Sequence, residues 1–348
     1  MTRFFNSIAA LPLLAIAACG NPASDSSAAR DHILATGSST VYPFTTAVSE
    51  QFAAKNAQFK APTVESTGTG PGIKQFCSGV GARFPDIADA SRRMKRSEYD
   101  TCAANGVKDV VEIQIGIDGV AFAESNSGPK LALTVADVYR ALAANPFGKP
   151  QTAKTWRDVD PALPAIPIKV YGPPSTSGTR DALAELILTK GCDTDPAMAA
   201  LKAKDDAAHK QTCTAIREDG AYVDSGENDN LIVQKLEGDP NAVGIFGYSF
   251  LAENAGRLHG VPFSGIGPTA AAIADFTYPG ARPLFIYVKA AHLNAIPGLR
   301  AFVAEYVSAW GPGGYLEKRG LIVASDAVRA ASAATAKAMT AIDPTKLK

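Results

Sequence analysis

Short apolar runs alternate with stripes of helical spacing along most of this chain. Ile33-Leu34-Ala35 reads as a strand, and Phe44, Ala47, Val48 and Phe52 then recur as the buried face of a helix. Thr63-Val64-Glu65 is a second strand, Asp86 to Ala90 a third, and Val110 to Ile117 and Asp118 to Ala123 two more. Val135, Val138, Tyr139 and Leu142 stripe a helix over 134–144, and Trp156-Arg157-Asp158 falls in a loop before a strand at Ile166 to Tyr171. Ala182, Leu183, Leu186 and Ile187 mark the next helix, and residues 197–215 an exposed helix pair. Leu231, Ile232, Val233 and Leu236 follow a helix cap at Asn228 or Asp229. Ala242 to Tyr248 and Arg282 to Val288 are buried strands, the second leading back into the first lobe. Leu299, Phe302, Val303, Tyr306, Val307 and Trp310 stripe a core helix, and an Ala-rich helix closes the chain from Ala327. Strands alternating with helices predict an α/β protein.

Three junctions share one grammar: a strand, then glycine and hydroxyls, then a helix. They are Gly37-Ser38-Ser39-Thr40-Val41-Tyr42-Pro43, Ser66-Thr67-Gly68-Thr69-Gly70-Pro71-Gly72, and Ser175-Thr176-Ser177-Gly178-Thr179-Arg180-Asp181. The first turn of a helix carries unpaired N–H groups and the positive end of the dipole, a natural seat for an oxyanion. The bland account of each is a helix cap: Ser39 or Thr40 with Pro43 in the first turn, and Ser175 or Thr176 helped by Thr179 or Asp181. The glycine loop lacks the Gly-Lys-Ser/Thr ending of a nucleotide-binding loop. Asp86 to Ala90 delivers Ser91 and Arg92 to a strand end, and the charge run Arg92 to Arg96 opens a solvated helix.

At 348 residues the chain can form two lobes, each with its own core. Lys+Arg and Asp+Glu balance at 34 each, so there is no basic field for nucleic acid, and a bound anion must be held by local donors. Arg3 followed by the eleven apolar residues Ile8 to Ala18 reads as an export signal, too short to remain as a membrane span. Ile16-Ala17-Ala18-Cys19-Gly20 resembles the lipobox of bacterial lipoproteins, in which the signal is cut before a cysteine that takes a diacylglycerol. Residues 1–18 are then the signal and 19–31 a flexible tether. Of the three pairings open to Cys77, Cys102, Cys192 and Cys213 in an oxidising compartment, the local one, Cys77–Cys102 with Cys192–Cys213, is preferred. No Cys-x-x-Cys occurs and the four histidines are scattered, which speaks against zinc. No Gly-x-Ser-x-Gly, His-Glu-x-x-His or histidine cluster points to a hydrolase, so an exported phosphatase is the minor alternative and no catalytic residue is assigned.

Taken in order, these motifs, with Asp86-Ile87-Ala88-Asp89-Ala90-Ser91-Arg92, Asn228-Asp229-Asn230 and Gly244-Ile245-Phe246-Gly247-Tyr248, resemble the phosphate-binding lipoproteins of the bacterial phosphate ABC importer. The resemblance implies the two-lobed type II periplasmic binding fold, with residues 32–118 and about 268–348 in one lobe and about 119–267 in the other. It implies a monomer anchored through Cys19 that closes on phosphate by a hinge and hands it to permease subunits, without a cofactor. The positions matching the family's site are Thr40 with the Val41 amide, Ser39 in a one-residue shift, Thr69 and Gly70, and Ser177, Gly178 and Thr179. Many members of that family have an Asp where Arg92 stands and an Arg where Pro173 stands. Arg92 is therefore expected to supply the cationic donor, with Arg180 as a second candidate. The displaced Asp opens the question of selectivity against sulfate, molybdate, tungstate and arsenate. A carboxylate accepts the proton of hydrogen phosphate and repels sulfate, and Asp86, Asp89, Asp118 and Glu227 are the candidates.

Overall fold

A computed structural model describes residues 1–2, 30–175, 177–226 and 228–347. The export signal, Cys19, nearly all of the tether, Thr176 and Glu227 lie outside the described residues.

Among the described residues nine strands form the framework: β1 Leu34–Gly37, β2 Thr63–Ser66, β3 Ile87–Ala90, β4 Val110–Ser125, β5 Val170–Gly172, β6 Tyr222–Asp224, β7 Val243–Gly247, β8 Leu258–Gly260 and β9 Ala281–Lys289. Their order across the sheet is β2-β1-β3-β9-β4-β7-β5-β6, with β8 paired to β4. β1 lies parallel between β2 and β3, and β5 parallel between β6 and β7. β9 is antiparallel to both β3 and β4, and β4 to β7. Parallel strands covered by helices on both faces need continuous apolar sequence; β7 carries it, and β3 carries it except at Asp89. In the first lobe Val48, Phe52, Phe302 and Tyr306 fill one face of the sheet and Ile73, Phe76 and Tyr287 the other. In the second, Val138, Tyr139, Trp156, Leu183 and Ile187 fill one face and Ile232, Leu236 and Phe246 the other.

The connection between lobes differs from the expected pair of strands. β4 is one strand of 16 residues whose first half pairs with β9 and whose second half pairs with β7 and β8. Its register shifts between Gln114 and Gly116. Here glycine is required by close approach: a Cβ on Gly116 would lie 2.6 Å from Leu321 Cδ1, and one on Gly119 2.4 Å from Ile273 Cδ1. Ile117 and Ile322 exchange two backbone hydrogen bonds of 2.9 and 3.0 Å, so a third segment crosses beside β4 and β9.

Ile273 and Tyr278 pack into the second core. Two further local readings change. The strand expected over 166–171 is confined to Val170–Gly172, because Pro167 cannot donate to a ladder and its neighbours Ile166 and Ile168 bond to Trp156 and Lys154 instead. Trp156–Val159 is a short helix with Thr155 and Asp158 capping each other. The disulfides Cys77–Cys102 and Cys192–Cys213 are both formed, the second joining the helix Thr189–Cys192 to Asp206–Thr214, with Pro196–Lys204 inside the loop it closes. Asn228 caps the helix Asp229–Gly238.

Candidate functional site

β1, β2 and β3 end at the same edge of the first lobe, and the loops that follow them meet there. Gly37 has φ +141°, and a Cβ on it would sit 2.1 Å from the Asp89 carbonyl oxygen. The Ser38 N–H donates to that same oxygen at 2.9 Å, pinning the loop to β3. Helix α1 (Tyr42–Lys55) then begins with Pro43 in its first turn and no side-chain cap. The expected capping by Ser39 or Thr40 is replaced by Ser38, whose carbonyl accepts the Val41 N–H at 3.2 Å. Val41 is fully buried and its amide is thus already engaged. The two hydroxyls are released for other work. Ser39 Oγ is buried without a partner among the described residues, and Thr40 Oγ1 accepts from Arg282 Nη2 at 2.5 Å.

The glycine loop is held from both sides. Gly37 O accepts the Thr67 and Gly68 N–H groups at 2.8 Å each. Helix α2 (Thr69–Phe76) starts at Gly68, which has φ +87° and contributes no side-chain cap. Thr69 Oγ1 accepts from the Ser91 N–H at 3.1 Å and pairs with Ser91 Oγ at 2.9 Å. Nothing stands within 4 Å of a Cβ built on Gly70, so its surroundings are open.

From the second lobe comes the helix Gly178–Ala182, continued by a π-helical turn over Leu183–Leu188 and by Thr189–Cys192. Its cap is Ser177, whose Oγ accepts the Thr179 N–H at 3.2 Å. Gly178 is where the lobes touch. A Cβ there would lie 2.1 Å from Thr40 Oγ1, 2.5 Å from Thr40 N and 2.6 Å from Ser39 Oγ. Ser39, Thr40, Ser177, Gly178 and Thr179 are therefore brought together, with Thr69 and Gly70 on the neighbouring loop of the first lobe. Arg180 turns away: it lies 4.4 Å over the Tyr222 ring and donates to the Pro173 carbonyl at 3.2 Å.

The cation between these loops is Arg282, which the sequence reading missed. Its side chain is 2% exposed; Nη2 donates to Thr40 Oγ1 and, at 3.0 Å, to the Gly178 carbonyl. Asp118 Oδ2 stands 3.3 Å from both Nε and Nη2, and the two residues are direct partners in the β4–β9 ladder. The available signal was one charged side chain opening an otherwise apolar strand, Arg282-Pro283-Leu284-Phe285-Ile286.

Arg92 was expected in that role, and the structure gives it other partners. Glu98 takes Nη1 and Nη2 at 2.9 and 2.7 Å, and Nε lies 3.8 Å from Glu185 Oε1 in the second lobe. Burial acts against the Glu98 charge, but the bonds from Arg92 and the Lys95 N–H hold its carboxyl below the ordinary range. Among the carboxylates proposed as proton acceptors, Asp86 lies at the opposite end of β3. It is occupied by the Leu34 N–H at 2.7 Å, His292 Nδ1 at 2.6 Å and Arg30 Nη2 at 2.5 Å. Asp89 points under α1, where its Oδ2 accepts from Thr45 Oγ1 at 2.8 Å, and burial pushes its carboxyl up to about 7. Asp118 alone of the described candidates faces the cleft cation. Asp181 stands nearby, its Oδ2 3.9 Å from a Cβ built on Gly68; burial first, then Glu185, raises its carboxyl above the ordinary value. Among the described residues the grouping that could hold a metal is Cys192, His209 and Cys213, whose sulfurs are joined to each other.

A family model for a PBP superfamily domain matches residues 22–309. The chain belongs to the PBP superfamily. Within this superfamily it is 32% identical over 305 residues to Protein SphX of Synechococcus elongatus, covering 85% of this chain and 79% of that one. It is 29% identical over 309 residues to the phosphate-binding protein PstS of Staphylococcus saprophyticus, covering 86% and 84%. Among solved structures it is similar to that of a possible phosphate binding protein from Planctomyces limnophilus, with a TM-score of 0.67 and 29% identity over 88% of this chain and 98% of that one. The two-lobed type II periplasmic fold of this PBP member is thus shared with solved relatives, and the Ser39–Thr40–Gly178 contact lies between its lobes.

Proposed function

We propose that this chain is an extracytoplasmic binding protein that closes around inorganic phosphate and delivers it to the permease of an ABC importer. The carrying observation is the convergence of hydroxyl-bearing loops from both lobes, with Gly178 packed directly on Ser39 and Thr40. The likeness to the PstS protein supports phosphate as the ligand. Ser39, Thr40, Thr69, Gly70, Ser177, Gly178 and Thr179 form its polar lining, with the Val41 turn and Arg92 supporting it. Each hydrogen bond to a charged ligand contributes roughly 1.5–3 kcal/mol, so several make a tight site. The Asp118 carboxylate favours an oxyanion that still carries a proton over sulfate. The lipobox at Cys19 supports a membrane-anchored protein, and no helix among the described residues is long and apolar enough to cross a membrane. The protein is a binder without turnover.

Calorimetric titration of the phosphate-stripped protein tests this. Phosphate is expected to bind tightly with one site, sulfate weakly or not at all. Phosphomonoesters should remain uncleaved. A folded sample that ignores phosphate overturns the reading.

A further inference from the structure

A bound phosphate brings about two negative charges into a chain that has no net charge, and hydroxyls alone do not balance them. We infer that Arg282 is the charged donor to the bound oxyanion, and that it binds from the hinge and not from either lobe. This inference deepens the phosphate-binding reading and rests on it.

Arg282 is 2% exposed, yet its Nη1 has no hydrogen-bond partner among the described residues. Ser39 Oγ is also buried and unpartnered, and it lies 2.6 Å from the position a Cβ on Gly178 would take, beside Thr40 Oγ1 at 2.1 Å. A buried guanidinium that leaves a donor unused is costly, and five fixed N–H donors fit the edge of a tetrahedral oxyanion as a fork. The other donors are already placed. Nη2 is held by Thr40 from the first lobe and by the Gly178 carbonyl from the second, and Asp118 holds Nε and Nη2 from the adjacent strand. Because Asp118 and Arg282 are opposite each other where β4 and β9 cross between the lobes, the pair stays in place whichever way the lobes turn. An anion seated on Arg282 is then reached by Thr40 and Gly178 only when the cleft is closed. The charge binds first, and closure adds the remaining donors.

The test is equilibrium binding of phosphate and of sulfate to the full mature protein as wild type, Arg282→Gln, Arg282→Lys and Arg93→Ala, each with its ligand-free melting temperature. Arg282→Gln is expected to lose at least a hundredfold in phosphate affinity. Arg282→Lys keeps the charge but loses the fork, and should lose at least tenfold with little change in melting. Arg93 pairs with Glu112 on the surface, and Arg93→Ala should bind like wild type. If Arg282→Gln does not fold, Arg282→Lys decides alone. Phosphate binding within threefold of wild type in a folded Arg282 variant overturns the inference and leaves the phosphate reading standing. Wild type that ignores phosphate but binds sulfate through Arg282 overturns the phosphate reading and keeps the donor. Wild type that binds neither anion overturns both.

Discussion

Arg92 Nε lies 3.8 Å from Glu185 Oε1, and this contact joins the two lobes across the mouth of the cleft. Glu98 fixes the guanidinium from the first lobe, so Glu185 meets a preset charge. Both side chains are partly exposed, Glu185 about half, which puts the pair among surface ion pairs worth roughly 0.2–1 kcal/mol. Arg92→Ala should therefore weaken phosphate binding about two- to fivefold, through a less stable closed form. Glu185→Gln should do the same, and the double variant should be no worse than either single one. Calorimetric titration of all three checks this. A hundredfold loss in Arg92→Ala alone would place Arg92 on the anion.

The contrast between Arg92 and Arg282 shows where the sequence is readable. Strand ends, hydroxyl loops and helix starts are local, and the loops at Ser39-Thr40, Thr69-Gly70 and Ser177-Gly178 could be named from residue order alone. Both disulfides could also be read, because each closes a short local loop. The charged pair could not. Asp118 and Arg282 are 164 residues apart, and only the antiparallel register of β4 with β9 brings them together. Arg92 looked right because it follows a strand end. What redirects it is Glu98, six residues on, which also caps its own helix and so faces back toward it. Residues 270–278 carry no pattern that says which core they join; the packing of Ile273 on Gly119 is seen only in the fold.

Gly178 packs closely on Ser39 and Thr40 of the first lobe, and its replacement separates closure from folding. A methyl group there would meet the Thr40 side chain and amide at 2.1 and 2.5 Å, far inside contact distance. Gly178 is the first residue of its helix and does not have a positive φ, so alanine suits the backbone there. Gly178→Ala should thus leave ligand-free melting unchanged or slightly raised while phosphate affinity falls at least tenfold. Small-angle scattering with saturating phosphate should show the variant remaining more open than wild type. Unchanged affinity would mean that the lobes do not meet at this glycine.

Asp89 sets a stability signature that ligand binding does not share. Its carboxyl is completely buried, with Oδ1 unpartnered and Oδ2 on Thr45, and burial raises it from 3.8 to about 7. In the unfolded chain the proton leaves near pH 4; in the folded chain it is kept until about pH 7. The folded state therefore binds more protons across that window, and stability falls as pH rises through it, by about 1.4 kcal/mol per pH unit at most. Below the window the contribution is complete, and above it the contribution is lost. Asp89→Asn removes the ionisable group, so it should be more stable than wild type at pH 8 by a larger margin than at pH 4. Urea unfolding at the two pH values measures this. Equal margins would show that Asp89 is ionised in the folded protein.

Selectivity is predicted to turn on Asp118, because it shares Arg282 with the cleft and keeps one oxygen without a partner among the described residues. Oδ2 accepts from the guanidinium, while Oδ1 has no hydrogen-bond partner among the described residues. A free carboxylate oxygen beside a bound anion accepts a proton from hydrogen phosphate and repels sulfate, which has none to give. Asp118→Asn preserves an acceptor for Arg282 through the amide oxygen, so the guanidinium stays placed, but it removes the charge. Phosphate binding should then weaken severalfold while sulfate binding strengthens, narrowing the phosphate-to-sulfate affinity ratio at least tenfold. Competition titration of the two anions against the variant reads this ratio directly. A ratio equal to that of wild type would mean that Asp118 only positions Arg282, and that discrimination resides in Asp181 or in the hydroxyl loops.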